Sequence, residues 1–199
     1  MHHRITQLQR LFAGQPDCWI AGSYAVDPHQ AGDIDLWLIN RPITADAIAH
    51  SLTPFIMEGI PLTTSDVPQY EGVRDFNRVA TWYGRGSTYY FENDAHRDLD
   101  VQIMITQHAT VNELLAGFDL SCHQQAFSLH DPDHVVRSDE FTGTGKPIII
   151  TRFTTPYSTM RRYFKYQERY KLKVDWQSIG RVALAIAHMQ PETVEATNV

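Results

Sequence analysis

Cysteine is scarce in this chain: there are two in 199 residues, Cys18 and Cys122, far apart and in no ligand spacing. That argues against a disulfide framework and a zinc site, and it favours a reduced, cytoplasmic setting. Long apolar runs are missing as well. The longest aliphatic pieces, such as Ile148–Ile150, fall far short of a membrane-spanning length. The N-terminus leads into a polar segment, so no secretory signal is expected. Positive charge is in deficit, with a formal net charge of −6, which excludes a broad surface for coating nucleic acid. Internal repeats and low-complexity tracts are absent.

What is present belongs to a folded protein: 43% hydrophobic, 11% aromatic and 20% charged residues. The length suits one domain, or one domain with a helical appendage. The charge is unevenly spread. Arg152 to Lys173 holds seven basic residues and one acid, Glu168, so this segment carries +6 and the rest of the chain −12. A concentrated basic segment in an acidic protein suits a local anion such as a triphosphate.

Apolar periodicity predicts a helix over His3–Phe12, a short strand over Asp17–Ala21 and a second strand over Ile34–Ile39. Thr44 caps a predicted helix to Met57, with Pro54 near its end. Val79–Tyr83 and Ser87–Glu92 read as two strands around a Gly84-Arg85-Gly86 hairpin, and Leu99–Thr106 reads as a third clear strand. A short helix follows at Val111–Ala116. Residues 122–137 are strand-like, and Gly143–Pro147 is a turn leading into Ile148–Phe153. Pro156 opens a helix to about Lys171, Trp176–Met189 forms the last one, and the tail after Pro191 is loose. The expected division is a core of mixed α/β character over 1–155 and a helical segment over 156–199.

The most informative residues are acidic. Asp33 and Asp35 lie two apart at the start of an apolar strand, so they share a face. Two adjacent carboxylates repel each other, and a cation between them relieves that repulsion. Hard oxygen ligands suit Mg²⁺, or Mn²⁺, which shares its shell with substrate phosphates. Asp100 opens an equally apolar strand and completes the set if the two strands are neighbours. Three carboxylates can hold two ions, one activating the attacking hydroxyl and one gripping the triphosphate. Asp98, two residues earlier, is the rival third acid. Upstream, Gly22-Ser23 follows a strand. Glycine allows close backbone approach to a phosphate, and the serine hydroxyl and nearby N–H groups can donate to it.

Strand, Gly22-Ser23, a ten-residue gap, Asp33-Ile34-Asp35-Leu36 and then Leu99-Asp100-Val101 together resemble the polymerase-β nucleotidyltransferase superfamily over about residues 18–105. The resemblance implies an α+β fold with a small mixed sheet backed by helices. It also implies Mg²⁺-dependent transfer of a nucleoside monophosphate from an NTP, such as ATP, to a hydroxyl acceptor with release of pyrophosphate. RNA, protein or a small molecule would serve as acceptor. Phe118-Asp119-Leu120, Cys122 and Gln124, followed by Thr159, Arg162, Lys165 and Tyr166, resemble a phage and viral subgroup of such proteins. That subgroup continues with Arg-Gly where this chain has Arg169-Tyr170.

Thr159, Arg162, Lys165 and Tyr166 fall on one helix face, and Arg161, Arg169 and Lys173 form a second cationic stripe. Such a helix can bring charge to the β- and γ-phosphates, Lys as a point charge and Arg as a fork. Tyr163, Tyr166 or Tyr170 can stack on a base or pack in the core. The ten histidines are scattered, and His123 and His130 read as surface or structural. Two other functions compete: a nucleotide-binding interaction protein of toxin–antitoxin type on the same fold, and a nuclease or phosphohydrolase using the same acids with water as nucleophile. The intact acids speak against the first, and the Gly-Ser turn against the second.

Overall fold

The computed structural model of the chain describes residues 2–64, 76–82, 99–153 and 155–189. Its strands are β1 (Cys18–Ala21), β2 (Asp33–Leu38), β3 (Thr63–Thr64), β4 (Phe76–Trp82), β5 (Asp100–Thr106), β6 (Gln125–Ser128) and β7 (Val135–Arg137). Among the described residues they form one seven-stranded sheet in the order β3-β4-β5-β2-β1-β6-β7. The central pair, β2 with β5, is parallel, and the other pairs are antiparallel. The helices are α1 (His3–Leu11), α2 (Ser23–Val26), α3 (Ala45–Met57), α4 (Val111–Ala116), α5 (Pro156–Arg169) and α6 (Trp176–Ala187).

Alternation along β2 and β5 decides where each helix goes. Ile34, Leu36 and Leu38 on β2, with Val101, Ile103 and Ile105 on β5, form one fully buried face. Ile5 and Leu8 of α1 and Leu52 and Phe55 of α3 belong to the same cluster. The α1 contribution is the helical spacing of its apolar residues made physical. The Thr44 hydroxyl accepts from the Ala47 N–H at 3.3 Å and starts α3. Pro54 lies inside that helix, three residues before its end, and has no N–H to give to the His50 carbonyl one turn back.

The other face is covered more sparingly. Trp37 and Met104 pack with Val111, Leu114 and Leu115 of α4, leaving the starts of β2 and β5 outside this cluster. A third cluster joins Leu120, Cys122, Ile148 and Ile150 to Tyr163 and Tyr166 of α5 and Val182 of α6. Packing thus runs across the 155/156 division expected from composition.

Residues 122–137 are strand-like as read: after a short 3₁₀ turn at Ser121–His123 they form the β6–β7 hairpin, with Asp131-Pro132 in its connection. Ile148–Phe153 makes one bridge, Leu120 with Ile150. There the Ser121 N–H donates to the Ile149 carbonyl and the Thr151 N–H to the Asp119 carbonyl, both at 2.9 Å. Side chains add to these bonds: the Ser121 hydroxyl accepts from the Ile149 N–H at 2.9 Å and the Ser178 hydroxyl from the Ile150 N–H at 3.0 Å. The Gly84-Arg85-Gly86 hairpin, the Ser87–Glu92 strand, Asp98 and the tail after Pro191 lie outside the described residues. Among those described, no helix is long and apolar enough to cross a membrane.

Candidate active site

The central register puts the acids side by side. Asp33 pairs with Asp100 and Asp35 with Gln102 across the parallel β2–β5 ladder. Paired residues in neighbouring strands point the same way, and so do residues two apart. Asp33, Asp35, Asp100 and Gln102 therefore occupy one face, at the N-terminal ends of the two strands. This is the sparingly covered face that continues into Trp37 and Met104.

The side chains on that face are not drawn into a ready-made cage. The Gln102 amide donates to Asp33 Oδ2 at 2.5 Å, and Arg78 of β4 donates to the Gln102 carbonyl at 3.4 Å. Among the described residues no three His, Cys, Asp or Glu side chains converge as a metal cluster. Asp35 stands in the most demanding position. Burial, and then the negative charge of Asp33, push its pKa up to about 8, while Arg78 and Lys165 pull it the other way.

Gly22 forms the wall against Asp35. Its backbone lies at φ 81° and ψ −149°, a region open essentially to glycine alone. A Cβ here would stand 2.9 Å from Asp35 Oδ2. Ala21 pairs with Asp35 across β1 and β2, so this turn is delivered to the carboxylate by the sheet itself. Ser23 follows as the first residue of α2, which is held to the sheet by a hydrogen bond from the Gln125 amide to the Ala25 carbonyl.

Beside Asp35 opens a cavity of about 320 Å³. Gly22, Ser23 and Asp35 line one end, and Arg162 and Tyr166 of α5 line a wall. Trp37, Phe118 and Phe153 supply aromatic surface, with the Trp37 and Phe118 rings 5.6 Å apart. Five of the residues expected from sequence thus meet at one cavity. Asp33, Asp100 and Lys165 do not line it, although Asp33 and Lys165 act electrostatically on Asp35.

The α5 residues divide. Arg162 is tied down: its guanidinium donates to Asp119 in an ion pair and to the Ser158 hydroxyl at 2.8 Å. Thr159 also donates to Asp119, at 2.7 Å. Lys165 is exposed, with its ammonium 5.2 Å from the centre of the Tyr166 ring. Burial raises the Tyr166 pKa, and the charges of Asp33 and Asp35 raise it further, while Ser23, a hydrogen-bonding neighbour, acts the other way. Tyr163 is a core residue, its hydroxyl accepting from the Asp175 N–H at 2.7 Å.

Sequence reasoning missed several lining groups. His123, read as surface or structural, is buried, lines the cavity and stacks edge-on against Tyr166 at 3.9 Å. Burial pushes its pKa down to about 3, so the imidazole is neutral. Trp37 and Phe153, and Gln102 beside Asp33 outside the cavity, carry no local pattern that marks them. Phe118 and Asp119 had a signal, as part of the Phe118-Asp119-Leu120 resemblance.

Three solved structures are similar to this chain in fold. One is a Thermotoga maritima CCA-adding enzyme complexed with tRNA, at a TM-score of 0.58 and 14% identity over 92% of this chain. The others are a tRNA-processing enzyme in an apo form, at 0.54 over 93%, and a tRNA-processing enzyme with CTP, at 0.53 over 92%, both at 14% identity. At that identity the likeness is one of fold, and the chain has the mixed α+β nucleotidyltransferase fold. It spans less than half of those proteins, 42–46% of their length. No protein-family profile matches the chain, and no curated protein sequence matches it.

Proposed function

We propose that the chain is a divalent-metal-dependent nucleotidyltransferase that moves a nucleoside monophosphate from an NTP to a hydroxyl acceptor and releases pyrophosphate. The observation that carries this reading is the in-register pairing of Asp33 with Asp100, with Asp35 on the same face beside the Gly22–Ser23 turn. The fold likeness to a tRNA-processing enzyme with CTP supports a nucleotide substrate.

The donor set fits Mg²⁺. Three hard carboxylates lie on one face, and Asp35 is half-buried beside another acid at an electrostatic penalty that a cation would remove. Asp33, Asp35 and Asp100 would hold the ions, with Gln102 turning its amide away from Asp33. When bound, such ions supply Lewis-acid stabilisation of the charge that develops on the phosphoryl oxygens.

The remaining steps belong to the protein. Gly22 lets the backbone approach a phosphate, and Ser23 donates to it. The cavity accepts the nucleoside against Trp37, Phe118 and Phe153, where aromatic faces offer stacking. The acceptor hydroxyl attacks the α-phosphorus and loses its proton to a carboxylate of this face. The bond to the pyrophosphate oxygen breaks and pyrophosphate departs. Fixing the two reactants in line supplies much of the acceleration.

The test is label transfer from α-labelled NTP into RNA, protein and small-molecule fractions, with and without Mg²⁺. Asp35→Asn is expected to abolish transfer while keeping the circular dichroism and melting profile of a folded chain. Transfer by Asp35→Asn at the level of the unaltered protein would refute the assignment.

A further inference from the structure

Resting on that reading, we infer that Arg169, together with Lys165, grips the terminal phosphates of the substrate, and that Arg162 is a positioning residue withheld from them. The sequence presents Arg162 and Arg169 as equivalent cations on two stripes of α5. The structure separates them. Arg162 has its charge met by Asp119 and its donors shared among Asp119, Ser158 and Thr159. Drawing it onto a phosphate would leave the partly buried Asp119 carboxylate without its counter-charge.

Arg169 is the reverse case. Its guanidinium lies over the Tyr166 ring, 5.1 Å from the centroid. Its Nη1 is buried with no hydrogen-bond partner, and among the described residues no carboxylate pairs with it. A buried N–H of a charged fork left without an acceptor is unfavourable, and an anionic oxygen is the acceptor that relieves it best.

Place matters as much as vacancy. Lys165 and Arg169 flank the same Tyr166 ring, at 5.2 and 5.1 Å. Tyr166 itself lines the cavity with Gly22, Ser23 and Asp35, and Lys165 acts electrostatically on Asp35. His123 and Tyr170 also pack against Tyr166, and neither brings a carboxylate to the two cations. Two cations therefore flank a ring that borders the same cavity as the Gly22–Ser23 turn. The site is built for a triphosphate rather than a monophosphate, because a nucleoside monophosphate seated at the acids has no phosphate to extend toward them.

The experiment compares ATP and AMP binding, with Mg²⁺, across three proteins: the unaltered chain, Arg169→Gln, and the paired change Asp119→Asn with Arg162→Gln, which removes both partners of the ion pair. Melting temperature is followed in parallel. The unaltered chain is expected to prefer ATP by at least about tenfold. Arg169→Gln should lose roughly tenfold on ATP and nothing on AMP, as one charge-assisted contact is removed. Lys165→Gln should behave alike. The paired variant should keep the ATP-to-AMP ratio while melting at a lower temperature. If Arg169→Gln keeps the ratio, or the paired variant collapses it, the division of roles is wrong while the nucleotidyltransferase reading stands. If the unaltered chain binds none of ATP, GTP, CTP and UTP, both fall together.

Discussion

Along β2, odd and even residues meet different surroundings. Ile34, Leu36 and Leu38 are fully buried against α1 and α3. Asp33, Asp35 and Trp37, interleaved with them, face a cavity and a sparsely covered surface. The same split runs along β5, with Val101, Ile103 and Ile105 on one side and Asp100, Gln102 and Met104 on the other. The comparison shows how one strand can carry stability and chemistry without compromise between them. A period of two separates the tasks completely, so the apolar face can be packed tightly while the acidic face keeps a half-buried carboxylate whose pKa is raised.

Three experiments would break or sharpen that separation. The largest effect is expected on the sealed face. Leu36→Ala should destabilise the fold by about 3 kcal/mol, the usual magnitude for a buried leucine, with a lower midpoint in urea. Nucleotide affinity of the fraction that stays folded should not change, and a loss of affinity larger than the loss of folded protein would show that the two faces are coupled.

Gly22→Ala should act on both counts. Holding alanine at this backbone conformation costs on the order of 1–3 kcal/mol, and its Cβ meets Asp35. Stability should fall less than in Leu36→Ala, and metal-dependent NTP binding should fall more. Titration of both variants with NTP and Mg²⁺ decides this, and equal behaviour would remove Gly22 from the site.

The effect that is smallest at any one step is a slope, which accrues pH unit by pH unit. Burial and the Asp33 charge push the Asp35 pKa up to about 8 in the folded chain, from an ordinary value of 3.8 that applies when unfolded. The native state therefore binds more protons between those values. Its stability contribution is full below about pH 4 and is lost as pH rises through about 8, by at most about 1.4 kcal/mol per pH unit. Asp35→Asn should flatten that part of the profile in metal-free urea melts at pH 5 to 8. An unchanged slope would mean that the acidic face carries no stored penalty.

Local patterns made much of this legible. Thr44 and Pro156 start α3 and α5 as a cap and a first-turn proline should. Asp33 and Asp35 share a face by spacing alone, and the left-handed backbone at Gly22 is one only glycine adopts readily. What local pattern left unread is set by distant partners. Ser121 and Ser178 accept the N–H groups of Ile149 and Ile150, so that apolar run is held by side chains about thirty residues away on either side. His123 sits in a turn rather than a strand, and its burial depends on Tyr166 and Tyr170, more than forty residues away.

The sequence by itself determined which residues could carry charge on a common face, because alternation within a strand and capping at a helix start are short-range rules. The neighbourhood of β2 and β5 was decided by the tertiary structure, since the register that sets Asp33 opposite Asp100 joins positions far apart in the chain. The same is true of the ion pair that takes Arg162 out of play and leaves Arg169 with a donor to offer. Long-range pairing depends on how whole layers pack, and no short window of residues contains that information.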